Sequence, residues 1–160
     1  MVVVTATLIS IHTTMGSALS SNLVPYLQKT FHVPDGPQTV LPASVFLVGL
    51  VFGPLIFAPL SEAYGRKPIL LSAFTGFVLS TMSSALAPTW ASFLIFRFLS
   101  GTFGAPPLSV FGGVIADVFI EERPRGMAMM SWSAATFLGP LTAPIISGFL
   151  GPAGWRWTFW

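Results

Sequence analysis

The chain has 160 residues, 53% of them hydrophobic and only 8% charged, with a mean hydropathy of +0.80. Soluble domains run at about 25% charged residues, so this chain lacks the polar side chains to cover a water-facing surface. It has no cysteine and a net charge of +2, which argues against a disulfide framework, a thiolate metal site and a nucleic-acid partner.

Read in chain order, five apolar segments are long enough to cross a bilayer, for which about 20 residues suffice. They cover 1–21, 40–61, 68–87, 90–116 and 127–150, and 155–160 looks like the start of a sixth. The runs are continuous rather than alternating, so the expected fold class is an all-α membrane protein. The opening residues MVVVTATLIS carry no basic region, which speaks against a cleavable signal peptide.

The first segment carries a polar stripe at helical spacing: Ser10, Thr13 or Thr14, Ser17, and Ser20 or Ser21, with His12 and Asn22 nearby. Bonding to a neighbouring helix explains such a stripe. A cavity lining of His12, Ser17 and Asn22, with His12 relaying protons, is the alternative. The link to the second segment holds only Lys29 and Asp35 as charges.

The second segment carries Pro54 and Pro59 and ends in Glu62, Gly65, Arg66 and Lys67. A proline inside a bilayer helix frees a carbonyl that neighbouring helices or hydroxyls must satisfy. Beside small residues it produces a bend that another helix can approach closely, either for packing alone or for rocking during transport. Gly65 suits the tight turn, and Pro68 suits the first turn of the third segment.

The basic pair Arg66–Lys67 lies in the second link and Arg123 and Arg125 in the fourth, while Ala87-Pro88-Thr89-Trp90 in the third is uncharged. Lys/Arg-rich short loops stay cytoplasmic. The N-terminus and these two links are therefore expected inside, with Trp90, Trp155, Trp157 and Trp160 at the outer interface. Glu121, Glu122, Arg123 and Arg125 read as a solvated loop patch.

Two charges in or beside the fourth segment stand out. Arg97 sits in FLIFRFLSG, well inside the apolar run. An arginine there must face protein or a water-filled cavity, so it is either bonded to carbonyls or a functional charge on a substrate or proton path. Asp117 falls at the same depth as Arg66, and an ion pair between them would latch two helices at the cytoplasmic end; loop topology alone is the other account of the basic pair.

The fifth segment echoes the second. GPLIFAPLS (53–61) and GPLTAPIIS (139–147) share Gly-Pro-Leu ahead of Ala-Pro and Ser. The fifth segment comes three places after the second, the spacing expected of a three-helix repeat; coincidence in a Gly/Pro/Ala-rich chain is the bland alternative. No HExxH, GxSxG or glycine-rich phosphate loop occurs, so neither an enzyme nor a metal site is expected.

Several of these stretches, in order, resemble the N-terminal half of a major facilitator superfamily transporter, most of all the fungal drug:proton antiporters. APLSEAYGRKP is similar to the signature between helices two and three, with Gly65, Arg66 and Lys67 matching and Glu62 in place of the usual Asp. RFLSGTFGAPPLSVFGGVIAD is similar to the Arg-led motif of helix four, ERPRGMAM to the following link, and GPLTAPIISG to the antiporter motif GPxxGPxxGG. Gly139, Pro140, Pro144 and Gly148 match that last motif, whereas Ala143 and Ser147 replace two of its glycines.

The resemblance covers nearly the whole chain. It implies that residues 1–160 form one incomplete six-helix bundle of a plasma-membrane protein. It implies alternating access with a small-molecule substrate, proton-coupled efflux of drug-like or secondary-metabolite compounds, and no cofactor beyond a proton gradient. Arg97 would serve proton coupling or substrate contact. Glu62, Gly65, Arg66, Lys67 and Asp117 would form the latch, with Glu62 meeting a C-terminal half or partner chain. The alternative expectation is a truncated, non-transporting remnant or a half-unit that needs a partner.

Overall fold

The computed structural model describes residues 2–20, 22–34, 36–152 and 154–160. Met1, Ser21, Asp35 and Ala153 lie outside the described residues, and with them the Ser21 alternative of the polar stripe and the charge beside Lys29. The described chain is helical throughout: α1 (Val2–Ala18), α2 (Val24–Phe31), α3 (Leu41–Tyr64), α4 (Arg66–Leu86), α5 (Trp90–Gly104), α6 (Pro106–Val118) and α7 (Glu122–Leu150). A 3₁₀ turn, Pro37–Val40, leads into α3, and another, Trp155–Phe159, follows α7.

Among the described residues four stretches are long and apolar enough to cross a membrane: Pro37–Tyr64, Arg66–Leu86, Trp90–Val118 and Glu122–Leu150. Helix α1, with 17 residues, is at the short end of a crossing. The outward faces are greasy: Val51 and Leu55 of α3 and Phe137 and Phe149 of α7 are exposed. This is the surface a bilayer solvates, so helix association rests on close packing and interhelical bonds rather than on escape from water.

The elements differ from the sequence expectation at three places. The stretch after α1, read as a connector, contains α2. It begins with Pro25 in its first turn, buries Leu27 and ends where His32 turns left-handed at φ 53. Its eight residues are too few to register as an apolar run.

The fourth segment, read as one helix over 90–116, is two. Pro106 and Pro107 remove two consecutive amide donors, so α5 stops at Gly104 and α6 restarts with proline in its first turn. Thr89 caps α5, its hydroxyl accepting the Ser92 N–H at 3.3 Å.

Finally, the charged patch read as a loop is the start of α7. Pro124 fits a first turn, and Glu122 lies where the helix dipole favours an acid.

Two seams organise the bundle. In the first, α3 packs on α5, and a Cβ on Gly49, Gly53 or Gly101 would run into the facing backbone. In the second, α7 packs on α1. At one end Phe111 stacks on Trp132, with ring centroids 4.4 Å apart. At the other, Phe31, Trp90, Phe93, Trp155 and Phe159 share one aromatic cluster around Leu19, Leu23 and Leu27.

Candidate functional site

The expected latch residues converge in part. Gly65 takes φ +90, a conformation that costs a side chain dearly, and turns α3 into α4 within one residue. Arg66 is thereby held at the start of α4, facing Asp117 at the end of α6. Its Nε donates to Asp117 Oδ2 at 2.6 Å, with the two side chains 35% and 61% exposed. Lys67 and Glu62 are exposed, and Glu62 makes no salt bridge among the described residues.

A further member of this site escaped the sequence reading. Gly113 lies one turn before Asp117 on α6, and a Cβ there would occupy the space of the Arg66 guanidinium. The readable signal was the spacing: Gly113 and Asp117 are four apart and share a helix face. Beneath the ion pair lies a cavity of about 470 Å³ between α1, α4 and α6, with Ala6, Ile9, Leu70 and Val114 on its wall.

Arg97 is 1% exposed and points into the bundle, not to lipid. Its Nη1 donates to the Gly16 carbonyl at 2.9 Å. Gly16 belongs to the last turn of α1, whose carbonyls have no amide ahead of them within the helix. Arg97 therefore caps α1 from another helix, and its positive charge sits at the negative end of the α1 dipole.

The guanidinium carbon lies 4.6 Å from the Phe159 ring centre and 5.8 Å from those of Phe46 and Phe93. Such ring faces stabilise a desolvated cation. Arg97 Nε and Nη2 find no partner among the described residues, so donor capacity remains for an incoming acceptor.

The antiporter-like motif runs along the face of α7 that meets α1. Gly139 is seated on α1: a Cβ there would lie 2.5 Å from Thr14 Oγ1, 2.8 Å from Ile11 O and 2.9 Å from Met15 N. Thr14 Oγ1 is 3.1 Å from the Thr136 carbonyl, and Asn22 Nδ2 donates to the Pro144 carbonyl at 2.8 Å. Ala143 and Ser147 are fully buried on the same face, so both departures from the glycine pattern are accommodated. Gly148 is less confined, with Asn22 Nδ2 at 3.9 Å from its would-be Cβ.

The polar stripe of α1 divides by direction. Ser10 and Thr14 turn to α7, as does Asn22 from the turn just beyond α1. Ser17 bonds the Thr14 carbonyl of its own helix at 2.7 Å. His12 is exposed, with Nδ1 3.1 Å from the Leu8 carbonyl and its ring edge-on to Phe74. Of the three proposed lining residues, His12 borders a cavity of about 270 Å³ shared with Gly16, Phe77, Thr81, Thr158 and Phe159.

This arrangement of apolar helices, a charged pair at one end and a buried arginine between helices defines an integral, multi-pass membrane protein of a transporter family. The sequence model of the Major Facilitator Superfamily matches residues 6–160, and the chain belongs to that superfamily.

Among its relatives are the efflux pump FUBT of Fusarium oxysporum, 42% identical over 91% of this chain, and the uncharacterized transporter mfc1 of Schizosaccharomyces pombe, 40% identical over 91%. The MFS-type transporter kojT of Aspergillus flavus is 37% identical over 90%. The matched region spans 24%, 29% and 26% of those three proteins respectively. Among solved structures, a D-xylose-proton symporter superposes with a TM-score of 0.84 at 20% identity, covering 99% of this chain and 44% of the symporter, a likeness of fold.

Proposed function

We propose that this bundle is the N-terminal part of a proton-coupled transporter that exports drug-like or secondary-metabolite compounds by alternating access. The observation that carries the reading is the pairing of Arg66 with Asp117 across α4 and α6 at the end of the bundle. An ion pair this exposed is weak, which suits a contact that forms in one conformation and opens in another. The 42% identity to a fungal efflux pump supports the export direction over uptake. In this reading the Arg66 end and the N-terminus face the cytoplasm, the aromatic end faces outward, and the membrane is the plasma membrane. Glu62, exposed at the end of α3, meets a further bundle. Arg97 holds α1 to α5 and offers its two spare donors to substrate or to an acceptor on the proton path.

The test is accumulation of a fluorescent amphipathic dye in a pump-depleted fungal host expressing the whole transporter that this bundle begins. Accumulation should fall, and should recover when the proton gradient is collapsed. Arg97→Lys keeps the charge but loses the planar fork and should abolish most of the effect. Unchanged accumulation with and without the gradient, or full activity of both Arg97→Lys and Arg97→Ala, would overturn the reading.

A further inference from the structure

Two side-chain bonds link α1 to α7, a third links α7 to Asn22 in the turn just beyond α1, and all three keep one register. Trp132 Nε1 donates to Ser10 Oγ at 3.0 Å, Thr14 Oγ1 lies 3.1 Å from Thr136 O, and Asn22 Nδ2 donates to Pro144 O at 2.8 Å. Each pair is separated by 122 residues. A constant offset over three rungs means that the two helices run parallel, in step, turn against turn. The rungs recur at multiples of four residues, the repeat that keeps one helix face in line.

The middle rung has a particular target. In an α-helix the carbonyl of Thr136 would accept the amide of residue 140, but that residue is Pro140 and has no N–H. The carbonyl is thus freed inside a bilayer, where leaving it unpaired costs more than in water. Thr14 Oγ1 lies within donor reach of it. The same hydroxyl also reaches two carbonyls of its own helix, Ser10 O at 2.8 Å and Ile11 O at 3.1 Å. Gly139 makes the approach possible, because any side chain there would meet Thr14 first.

We infer that Thr14 is a positioning residue for α7: its hydroxyl replaces the amide missing at Pro140 and fixes the bend, so α1 and α7 move as one body. This rests on the transport reading only for the word "move"; the bond itself is independent of it. The proline of the motif is then a place where α7 is tied to its neighbour and not a free hinge.

The experiment is amide hydrogen exchange of the detergent-solubilised or nanodisc-embedded protein, followed over peptides covering 137–143. Thr14→Val keeps the shape and removes the donor. It should speed exchange there about threefold, the worth of an average interhelical bond in a membrane protein, and Thr14→Ser should restore the original rate. Pro140→Ala returns an amide to Thr136 O, so Thr14→Val should have no effect on exchange in that background. An equal effect of Thr14→Val in both backgrounds, or no effect in either, would overturn the inference. Neither outcome depends on substrate or on a proton gradient, so a failed efflux test and a failed exchange test remain distinct.

Discussion

The α3–α5 and α1–α7 seams solve one problem in two ways. In each, a Gly-Pro-Leu stretch meets a parallel helix through its glycine, Gly53 against α5 and Gly139 against α1. Each also contains a carbonyl that a proline has deprived of its amide, Thr102 before Pro106 and Thr136 before Pro140. At the first seam the Thr102 carbonyl lies against Gly53, 2.7 Å from where a Cβ would be. The Thr102 hydroxyl bonds Phe98 of its own helix, and among the described residues no side chain bonds α3 to α5. At the second seam a hydroxyl, an indole and an amide cross between the helices. The first is held by contact, with the Arg97 guanidinium over the Phe46 ring, and the second by contact plus directed hydrogen bonds. A seam without directed bonds can slide once its small residues clear each other, whereas a laddered seam keeps its register.

The largest test of that difference is steric. Gly101→Val drives a side chain into the Phe46 backbone, which cannot yield as a flexible side chain can. It should cost about 3 kcal/mol, read as a collapse of the thermal unfolding midpoint in detergent. Gly139→Val should cost less, about 2 kcal/mol, because the backbone it meets, Ile11 O at 2.8 Å and Met15 N at 2.9 Å from the new Cβ, overlaps it less deeply than the Phe46 backbone overlaps a Cβ on Gly101.

Next come the bonds. Trp132→Phe and Asn22→Ala should each lose about 0.6 kcal/mol, while Thr102→Val at the other seam should be near neutral. Equal losses at the two seams would erase the distinction between them.

The smallest effect is expected at the ion pair. Asp117→Asn should cost about 0.3 kcal/mol and less still at high salt. Gly113→Ala should displace Arg66 and mimic it without unfolding the chain, and the Arg66/Asp117 double mutant should lose less than the sum of the singles.

Much of the protein is legible in local sequence. Arg97 inside an apolar run, prolines beside glycines, and basic links between runs all follow from the cost of polar groups in lipid. The latch pair could be named from equal depth. Its supporting Gly113 shares a helix face with Asp117, four residues on, but that spacing alone does not say that the glycine leaves room for a guanidinium from α4.

Helix α2 was missed because eight amphipathic residues carry no bilayer-length signal. The break between α5 and α6 was hidden by the continuity of the apolar run, although Pro106-Pro107 marked it. The polar stripe of α1 was visible, but its split into Ser10, Thr14 and Asn22 facing α7 and His12 facing a cavity was not.

By itself, then, the sequence determined the solvent, the helical class, the approximate spans and the residues too costly to leave unpartnered. These are local quantities, set by hydropathy and by which backbone groups a proline removes. The tertiary structure decided the pairings: Arg97 with the Gly16 carbonyl, Thr14 with the Thr136 carbonyl, Gly113 with the Arg66 guanidinium. A helix that is apolar all round does not advertise which face is inward. Its rotation about its own axis is fixed only when glycines, freed carbonyls and buried donors on neighbouring helices are brought into register.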